Sequence, residues 1–531
     1  ENMVKKKNRW LCAALGVSLV VTLSGCGKDK KADKAASSGE MPETLEIFAP
    51  LGSHARSAGA KDANDMLPFQ LMEEMTGVHV DWQHPPEGAG DEKFNLLIAS
   101  GSLPDMIVYN WRQVSGGARM YAEDDIIVPL QDLIDKNMPN LTAFNEERPD
   151  IKKQYTEDDG SIFYIPFIRA DKELNVYLGP QIRRDWLDKL GLDVPSNTDE
   201  LYEVLKAFKT QDPNGNGQAD EVPMTGSLMD NPAFGIGNLL WAFGTHYSFY
   251  VKDGEVRYGI LDDRMEEGME YIAKLYREGL IDVDFLINDR TKMDAKMMGD
   301  QSGFVFTFQP TMYSTNMNDG TRKVEGIPFL KGPHGDQNVF IPDYANSTTA
   351  TSIAITTANK NPEGSLKWLD NFFGGKGLEY MNFGKEGLTF NWEDGYPKLT
   401  DYLLNNPDGI DRISMCGMNL GAYDSTFPTL QDWRYYEQTL SDWGRNAIET
   451  WANNADTSGI LPPLSFSAEE NEKINRVMTD VETYVSESLS KIVVGNEPVS
   501  FLSTVQNRVK EMGIEDVLKI YNDAYQRYMA R

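Results

Sequence analysis

The sequence predicts an α/β fold, and three observations near the start of the chain support this prediction. Residues 44–50 alternate apolar and polar side chains, which is typical of a strand, residues 78–82 form a second such strand, and residues 105–109 form an apolar strand after a turn. Apolar residues at helical spacing fill 64–75 and 92–100, between these strands. The order strand, helix, strand, helix, strand is the one that forms a parallel sheet with right-handed crossovers.

The N-terminal residues predict a lipoprotein signal. Basic residues precede an apolar run at 10–23, and Leu23-Ser24-Gly25-Cys26 follows, as in a lipobox whose cysteine accepts a lipid. The alternative is an uncleaved membrane helix, but the run is shorter than the roughly 20 residues that span a bilayer. We therefore expect a signal peptide at 1–25, a lipid anchor on Cys26, a flexible tether at 26–43 and a mature protein on the extracellular face of the membrane.

Composition limits the remaining classes of protein. With 531 residues the chain can form two or more domains, and Cys416 is the one cysteine after the lipobox, so no disulfide is expected. The formal charge of −30 disfavours nucleic acid and anionic membrane surfaces as partners. The same charge favours a neutral ligand over a polyanion.

Five short motifs occur in an order that resembles a known family. They are Ala-Ser-Gly-Ser-Leu-Pro-Asp at 99–105, Ile-Val-Pro-Leu at 127–130, Arg-Arg-Asp-Trp-Leu at 183–187, Glu-Gly-Leu-Ile at 278–281 and Gly-Lys-Glu-Gly at 384–387. Their order resembles extracellular solute-binding lipoproteins of carbohydrate ABC importers, in the long branch that includes calcium-carrying alginate-binding proteins.

The resemblance implies a monomeric, two-lobed receptor with a periplasmic-binding-protein-like fold. Such a receptor closes on an oligosaccharide and delivers it to ABC permease subunits. We expect parallel-sheet lobes joined by a hinge, with a first lobe at 44–170 and about 304–383. The second, helix-rich lobe is expected at 171–303 and about 384–531.

Sugar-binding clefts combine aromatic rings with charged and amide side chains, because sugars offer both C–H faces and hydroxyl groups. Trp111 follows a predicted strand end, where ligands bind in parallel sheets. Trp241 and Trp392 lie beside glycines or turns, and core packing is the alternative for each aromatic residue. The full set of predicted ligand residues is Trp111, Arg183, Asp185, Trp186, Trp241, Trp392, Trp433 and Tyr435.

Arg183, Asp185 and Trp186 stand at the start of one predicted helix. In the family that the chain resembles, this segment faces the cleft. The residues themselves leave other roles open. Trp186 shares a helical face with apolar residues, which favours packing of its side chain in the core. Arg183 and Asp185 could equally form an ion pair on the surface at the start of the helix.

A loop after the predicted helix 198–209 matches the spacing of an EF-hand. Oxygen donors recur at every second position and Gly217 occupies the sharp turn, which favours Ca²⁺ as a structural cofactor. The twelfth position of an EF-hand loop is normally a glutamate that supplies the last carboxylate. Here that position is Pro223, so Glu221 must supply this carboxylate. The predicted ligands are Asp212, Asn214, Asn216, Gln218 through its carbonyl, Asp220 and Glu221. The alternative is a solvated turn without metal.

The sequence leaves two alternatives to a receptor. A surface glycoside hydrolase needs only two carboxylates, but the chain has no G-x-S-x-G nucleophile elbow, and its five histidines form no metal motif. A structural or adhesive surface lipoprotein would need neither cleft nor hinge. We therefore predict a receptor that is not an enzyme.

Overall fold

The structure, a computed structural model, describes residues 40–317 and 320–531. The predicted signal peptide, Cys26 and most of the predicted tether lie outside these residues. Among the residues described, no helix is both long and apolar enough to span a membrane.

The strands of the described residues, numbered in chain order, are β1 (Thr44–Phe48), β2 (His79–Gln83), β3 (Met106–Tyr109), β4 (Ile165–Arg169), β5 (Leu178–Arg183), β6 (Val222–Met224), β7 (Phe249–Lys252), β8 (Glu255–Tyr258), β9 (Ser302–Phe308), β10 (Val324–Gly326), β11 (Thr348–Ile355), β12 (Phe390–Glu393), β13 (Tyr396–Leu399) and β14 (Leu430–Gln431).

The α-helices are α1 (Ser53–Ser57), α2 (Leu67–Thr76), α3 (Gly90–Ser100), α4 (Gly117–Glu123), α5 (Gln131–Asn137), α6 (Pro139–Glu147), α7 (Pro149–Lys152), α8 (Lys172–Asn175), α9 (Arg184–Leu190), α10 (Thr198–Thr210), α11 (Met265–Arg277), α12 (Arg290–Met298), α13 (Thr311–Asn316), α14 (Pro362–Asp370), α15 (Gly375–Phe383), α16 (Asp401–Leu404), α17 (Arg412–Asn419), α18 (Trp433–Thr439), α19 (Asp442–Asn454), α20 (Ala468–Val493), α21 (Leu502–Glu511) and α22 (Ile514–Ala530).

The first sheet has six strands in the order β14-β4-β11-β3-β1-β2. Strand β1 pairs in parallel with both β2 and β3, as the strand and helix order predicts. The sheet is mixed, not wholly parallel, because β11 runs antiparallel to β3 and β4. The α/β class is thus confirmed, and parallel pairing in this sheet is found between β1 and β2, β1 and β3, and β14 and β4.

The second sheet has four strands in the order β10-β5-β9-β6. Strand β5 pairs antiparallel with β9 and β10, and only the β6–β9 pair is parallel. Helices α20–α22 pack their apolar side chains into the same core as this sheet, so this half of the molecule is rich in helix. The Ser467–Glu470 capping box begins the long helix α20.

The return of the chain to the first sheet comes later than the sequence predicts. Strands β9 and β10 pair with β5, so residues 302–326 belong to the second sheet and not to the first. Strand β11 rejoins the first sheet, and β14 still pairs with β4. The predicted boundaries near 304 and 384 are therefore wrong, because an apolar strand such as β9 fits either sheet until its partners are known.

Candidate ligand cleft and cation loop

A cleft of about 720 Å³ lies between segments that follow the two sheets. The second sheet contributes the end of β9 and helices α12 and α13, and the segment between β11 and α19 contributes α16–α18. The side chains with ligand-binding chemistry are Arg290, Phe308, Gln309, Asn405, Asn406, Asp411, Arg412, Tyr423 and Tyr436.

The end of β9 fixes two of these side chains. Phe308 is its last residue, and the next residue, Gln309, donates its backbone N–H to the Tyr177 carbonyl (2.8 Å). The Gln309 side-chain oxygen accepts the backbone N–H of Thr311 at the start of α13 (2.8 Å). Phe308 and Gln309 thus follow the carboxyl end of a strand, where α/β sheets bind ligands.

Tyr436 reaches the cleft from α18. Asp432 caps the start of this helix, because its carboxylate accepts the backbone N–H of Arg434 (2.9 Å). Burial raises the pKa of Tyr436, while a hydrogen bond with the Gln309 side chain acts against this. The hydroxyl therefore stays protonated at neutral pH and is available as a donor. Tyr436 and Gln309 come from opposite sides of the cleft, so they connect its two walls.

His54 and Asp424 form a charged pair beside Tyr423. The Asp424 carboxylate accepts the backbone N–H groups of His54 (3.2 Å) and Ala55 (3.3 Å) and pairs with His54 Nδ1. This side-chain hydrogen bond raises the pKa of His54, although partial burial opposes it. The imidazole meets the Tyr423 ring edge-on, with 5.5 Å between centroids.

Four predicted ligand residues lie in hydrophobic cores. Trp111, Trp186, Trp241 and Tyr435 are 0–2% exposed, so no ring face is available to a ligand. Trp111 donates its indole N–H to the Ile107 carbonyl (2.9 Å), and the Tyr435 hydroxyl accepts from the Gln431 amide (2.6 Å). The prediction of a ligand contact is wrong for these four residues, and the core alternative applies.

Arg183 is an internal anchor and not a cleft residue. Its guanidinium is 1% exposed and lies 2.6 Å from both the Asp185 and Asp300 carboxylates. It also covers the Trp186 ring, 4.9 Å from the centroid. Burial disfavours the charge, but the hydrogen bonds to the two carboxylates outweigh it and raise the pKa of Arg183. The predicted cleft role of Arg183 and its partner Asp185 is therefore wrong.

Trp392 and Trp433 keep exposed surface. Trp392 is 41% exposed on the β12–β13 hairpin, with its ring 5.8 Å from that of Phe390. Trp433 begins α18, donates its backbone N–H to Asp171 (3.2 Å) and lines a separate hollow of about 440 Å³. Neither residue lines the larger cleft, and a ligand contact stays a prediction for both.

The Asp212 carboxylate organises the predicted cation loop. Its Oδ1 accepts the N–H groups of Gly215 (2.9 Å) and Asn216 (3.1 Å), and its Oδ2 accepts that of Gly217 (3.1 Å). Both glycines have φ values near +77°, which suits residues without a side chain. The Asn216 amide donates to both oxygens of Asp220 (3.1 and 3.0 Å). Hydrogen bonds within the loop therefore connect Asp212 to Asn216 and Asn216 to Asp220.

Glu221 ends this loop with a carboxylate that has one oxygen without a partner. Its Oε1 is buried without a hydrogen bond, and burial, together with Asp212 and Asp220, raises its pKa. No cluster of three or more His, Cys, Asp or Glu residues suited to a metal occurs in 40–317 and 320–531. The loop instead mixes carboxylates with amide and carbonyl oxygens, a donor set that fits a hard cation.

The sequence offered a signal for part of the cleft. Phe308 and Gln309 directly follow the predicted strand at 301–307, so the strand-end rule applies to them as it does to Trp111. Tyr436 lies next to two predicted ligand residues. Arg290, Asn405 and Asn406 carry no local pattern that separates them from other surface residues.

The chain belongs to the family of bacterial extracellular solute-binding proteins, whose sequence profile matches residues 56–377. Among curated relatives, it is 30% identical over 502 residues, 88% of each chain, to the fructooligosaccharide ABC transporter substrate-binding protein FusA of Streptococcus pneumoniae. It is 25% identical to lipoprotein LipO of Bacillus subtilis, over 78% of this chain and 80% of LipO. It is 24% identical to the polygalacturonan/rhamnogalacturonan-binding protein YtcQ of the same species, over 98% and 99%.

Solved structures show the same architecture. S. pneumoniae FusA in complex with kestose matches with a TM-score of 0.74 and 28% identity, over 92% of this chain and 99% of FusA. The alginate-binding protein AlgQ2 without calcium ion matches with a TM-score of 0.71 and 25% identity, over 91% and 98%. The predicted family, two-lobed fold and receptor class are thus confirmed, and the family is one of binding proteins, not of enzymes.

Proposed function

We propose that the protein is a receptor that binds an oligosaccharide in the cleft between its two sheets and delivers it to an ABC importer. The observation that carries this proposal is the pairing of Phe308, Tyr423 and Tyr436 with amide side chains in one cleft of about 720 Å³. Aromatic rings pack on sugar C–H faces, and amides pair with adjacent hydroxyls. FusA, which is named for fructooligosaccharides and solved with kestose, supports the same ligand class.

The geometry explains how binding closes the receptor. Phe308 and Gln309 belong to the second sheet, while Tyr436 belongs to a helix that follows the first sheet. A sugar that contacts both walls favours the arrangement in which they are close, since a ligand stabilises the state it binds better. Small-angle scattering should show a more compact protein with ligand, and unchanged dimensions with a bound ligand would contradict closure.

The ligand is a neutral oligosaccharide. A net charge of −30 repels polyuronates at long range, and Asp411 offsets one of the guanidinium groups in the cleft. A thermal-shift screen should give its largest shifts with neutral glycans such as kestose. Tight binding of galacturonate fragments, with none of neutral glycans, would overturn this proposal in favour of a ligand class like that in the name of YtcQ.

The protein is held on the extracellular face of the membrane by lipid on Cys26. The lipobox sequence supports this proposal, and so does the name of LipO. A Cys26→Ser variant should be released into the medium while the wild type stays with the membrane fraction. Retention of the variant would favour the alternative of an uncleaved helix.

The loop at 212–221 binds a structural Ca²⁺. The buried Glu221 Oε1 without a hydrogen bond, and the effect of the Asp212 and Asp220 charges on the pKa of Glu221, support this proposal. One FusA structure is described as an EF-hand mutant and one AlgQ2 structure as being without calcium ion, and both descriptions support this proposal. Calorimetric titration of chelator-treated protein should show calcium binding, and the absence of both heat and a thermal shift would favour the metal-free turn.

The chain catalyses no reaction on its ligand. The binding family supports this inference. Incubation with oligosaccharides should release no new reducing ends, and release that depends on a single carboxylate would contradict it.

A further inference from the structure

Four side chains form a continuous row from the first sheet to the cleft. The Arg169 guanidinium lies 5.3 Å from the centre of the Tyr177 ring. The Tyr177 ring stacks on Phe308 at 5.7 Å with 15° between the ring planes, and Arg290 lies 4.6 Å from the centre of the Phe308 ring. Arg169 ends β4, whereas Phe308 and Arg290 belong to β9 and α12. We call these four residues the hinge row.

The hinge row also connects the places where the chain passes between the sheets. In the described residues these crossings are at 170–177, 327–347 and 432–441. Tyr177 in the first crossing donates its hydroxyl to Asp343 in the second. Arg169 donates its Nε–H to the side chain of Gln431, directly before the third crossing (3.2 Å).

The hydrogen bond of Tyr177 is of a strong type. Burial and the Asp343 carboxylate raise the pKa of Tyr177, so its hydroxyl remains a donor across the physiological range. A hydrogen bond from a neutral hydroxyl to a carboxylate is about twice as strong as one between neutral groups. The ring and the hydroxyl of Tyr177 therefore hold different partners, Phe308 and Asp343, at the same time.

We propose that the hinge row couples occupancy of the cleft to the angle between the two sheets, with Tyr177 as its positioning residue. Phe308 and Arg290 line the cleft, while Tyr177 and Arg169 hold the crossings. A ligand that packs on the Phe308 wall is thus linked to Asp343 through one stacked ring. This proposal rests on the proposed function for its ligand, but the contacts between the crossings do not depend on which ligand binds.

The test compares three variants. Tyr177→Leu removes both the stacked ring and the hydroxyl, and Tyr177→Phe removes only the hydroxyl. Tyr276→Leu is the matched control, because Tyr276 packs edge-on against Phe285 in the second core, with 5.7 Å between centroids, and lies outside all three crossings. The Tyr344 hydroxyl donates to the Leu178 carbonyl at the start of β5, and none of the three substitutions removes either of these groups.

Hydrogen exchange without ligand gives the first readout. Tyr177→Leu should speed amide exchange at 342–347 as well as at 170–177, Tyr177→Phe should do so to a smaller extent, and Tyr276→Leu should leave both segments as in the wild type. Faster exchange confined to 170–177 in Tyr177→Leu would overturn the proposal, because the second crossing would then be independent of the row.

Dissociation of kestose gives the second readout. Tyr177→Leu should release kestose about tenfold faster than the wild type, at a melting temperature no lower than that of Tyr276→Leu. An unchanged release rate would overturn the coupling to the cleft. If the wild type binds neither kestose nor any other oligosaccharide, the proposed function fails, and hydrogen exchange alone decides on the hinge row.

Discussion

The cation loop and the ligand cleft draw their functional groups from the chain in different ways. The loop takes its predicted ligands from residues 212–221, and Asp212 alone holds three backbone N–H groups of the same segment. The cleft takes its side chains from segments near 290, 308, 405, 412, 423 and 436. The loop is therefore shaped by local hydrogen bonds, whereas the cleft depends on how the two sheets are held together.

This difference separates stability from binding. Changes around the loop should lower the free energy of unfolding and leave sugar affinity near that of the wild type. Changes in the cleft should weaken sugar affinity and leave the free energy of unfolding near that of the wild type.

The largest effect is expected at Arg183, which lies beneath the loop. The Asp300 carboxylate pairs with Arg183, and the Asp300 backbone carbonyl accepts a hydrogen bond from the Asn214 side-chain amide (3.1 Å). Arg183→Met removes a buried guanidinium from two partly exposed carboxylates and from the Trp186 ring, so we expect a loss of about 3 kcal/mol in the free energy of unfolding, measured with urea. The control is Arg184→Met, whose half-exposed pairs with Asp188 and Glu325 predict a loss below about 1 kcal/mol. Equal losses for both variants would refute the anchoring role of Arg183.

Calcium removal should have the next largest effect. At a free concentration of about 100 times Kd, a ligand of the folded state adds about 2.7 kcal/mol of stability. Asp212→Ala should abolish the rise in melting temperature that calcium causes and change sugar affinity by less than about threefold. The control is Asp193→Ala, at an exposed carboxylate outside the loop. A calcium response that persists in Asp212→Ala would place the cation elsewhere.

In the cleft, Tyr436→Ala should weaken oligosaccharide binding about 10- to 100-fold, because Tyr436 lines the proposed ligand cleft with an aromatic ring and a hydroxyl group. The comparison variant is Trp392→Ala, which removes an exposed ring outside this cleft. In calorimetry, Trp392→Ala should bind the oligosaccharide with nearly the affinity of the wild type. A larger loss of oligosaccharide affinity in Trp392→Ala than in Tyr436→Ala would indicate that the ligand binds at the β12–β13 hairpin.

The smallest effect is the pH dependence at His54. The bond to Asp424 raises the folded pKa of His54 above 6.5, so its stabilisation is complete below that value and is lost as pH rises through the folded pKa. His54 is 45% exposed, which limits the effect to below about 1 kcal/mol. Unfolding of the wild type and His54→Gln should differ more at about pH 5 than at pH 8. An equal difference at both values would contradict this account.

The same contrast decides what could be predicted from the sequence. The strands β1–β3 were predictable because neighbouring strands follow each other in the chain. The turn at 212–217 was predictable because its Asp, Asn and Gly residues form hydrogen bonds within one short segment. Strand β9 was assigned to the wrong sheet, since an apolar strand carries no mark of its partner. Trp111 was misassigned for a related reason: a ring at a strand end can turn toward the ligand or toward the core, and here Ile107 and Phe94 hold it inside.

The central claim is that an oligosaccharide binds between the two sheets. Its most direct test is calorimetric titration of the wild type and Tyr436→Ala with kestose and with a galacturonate oligomer. We predict measurable binding of kestose by the wild type, a loss of about tenfold or more in Tyr436→Ala, and no binding of the galacturonate oligomer. Equal affinities of the two proteins for kestose, or binding of the galacturonate oligomer alone, would contradict this account.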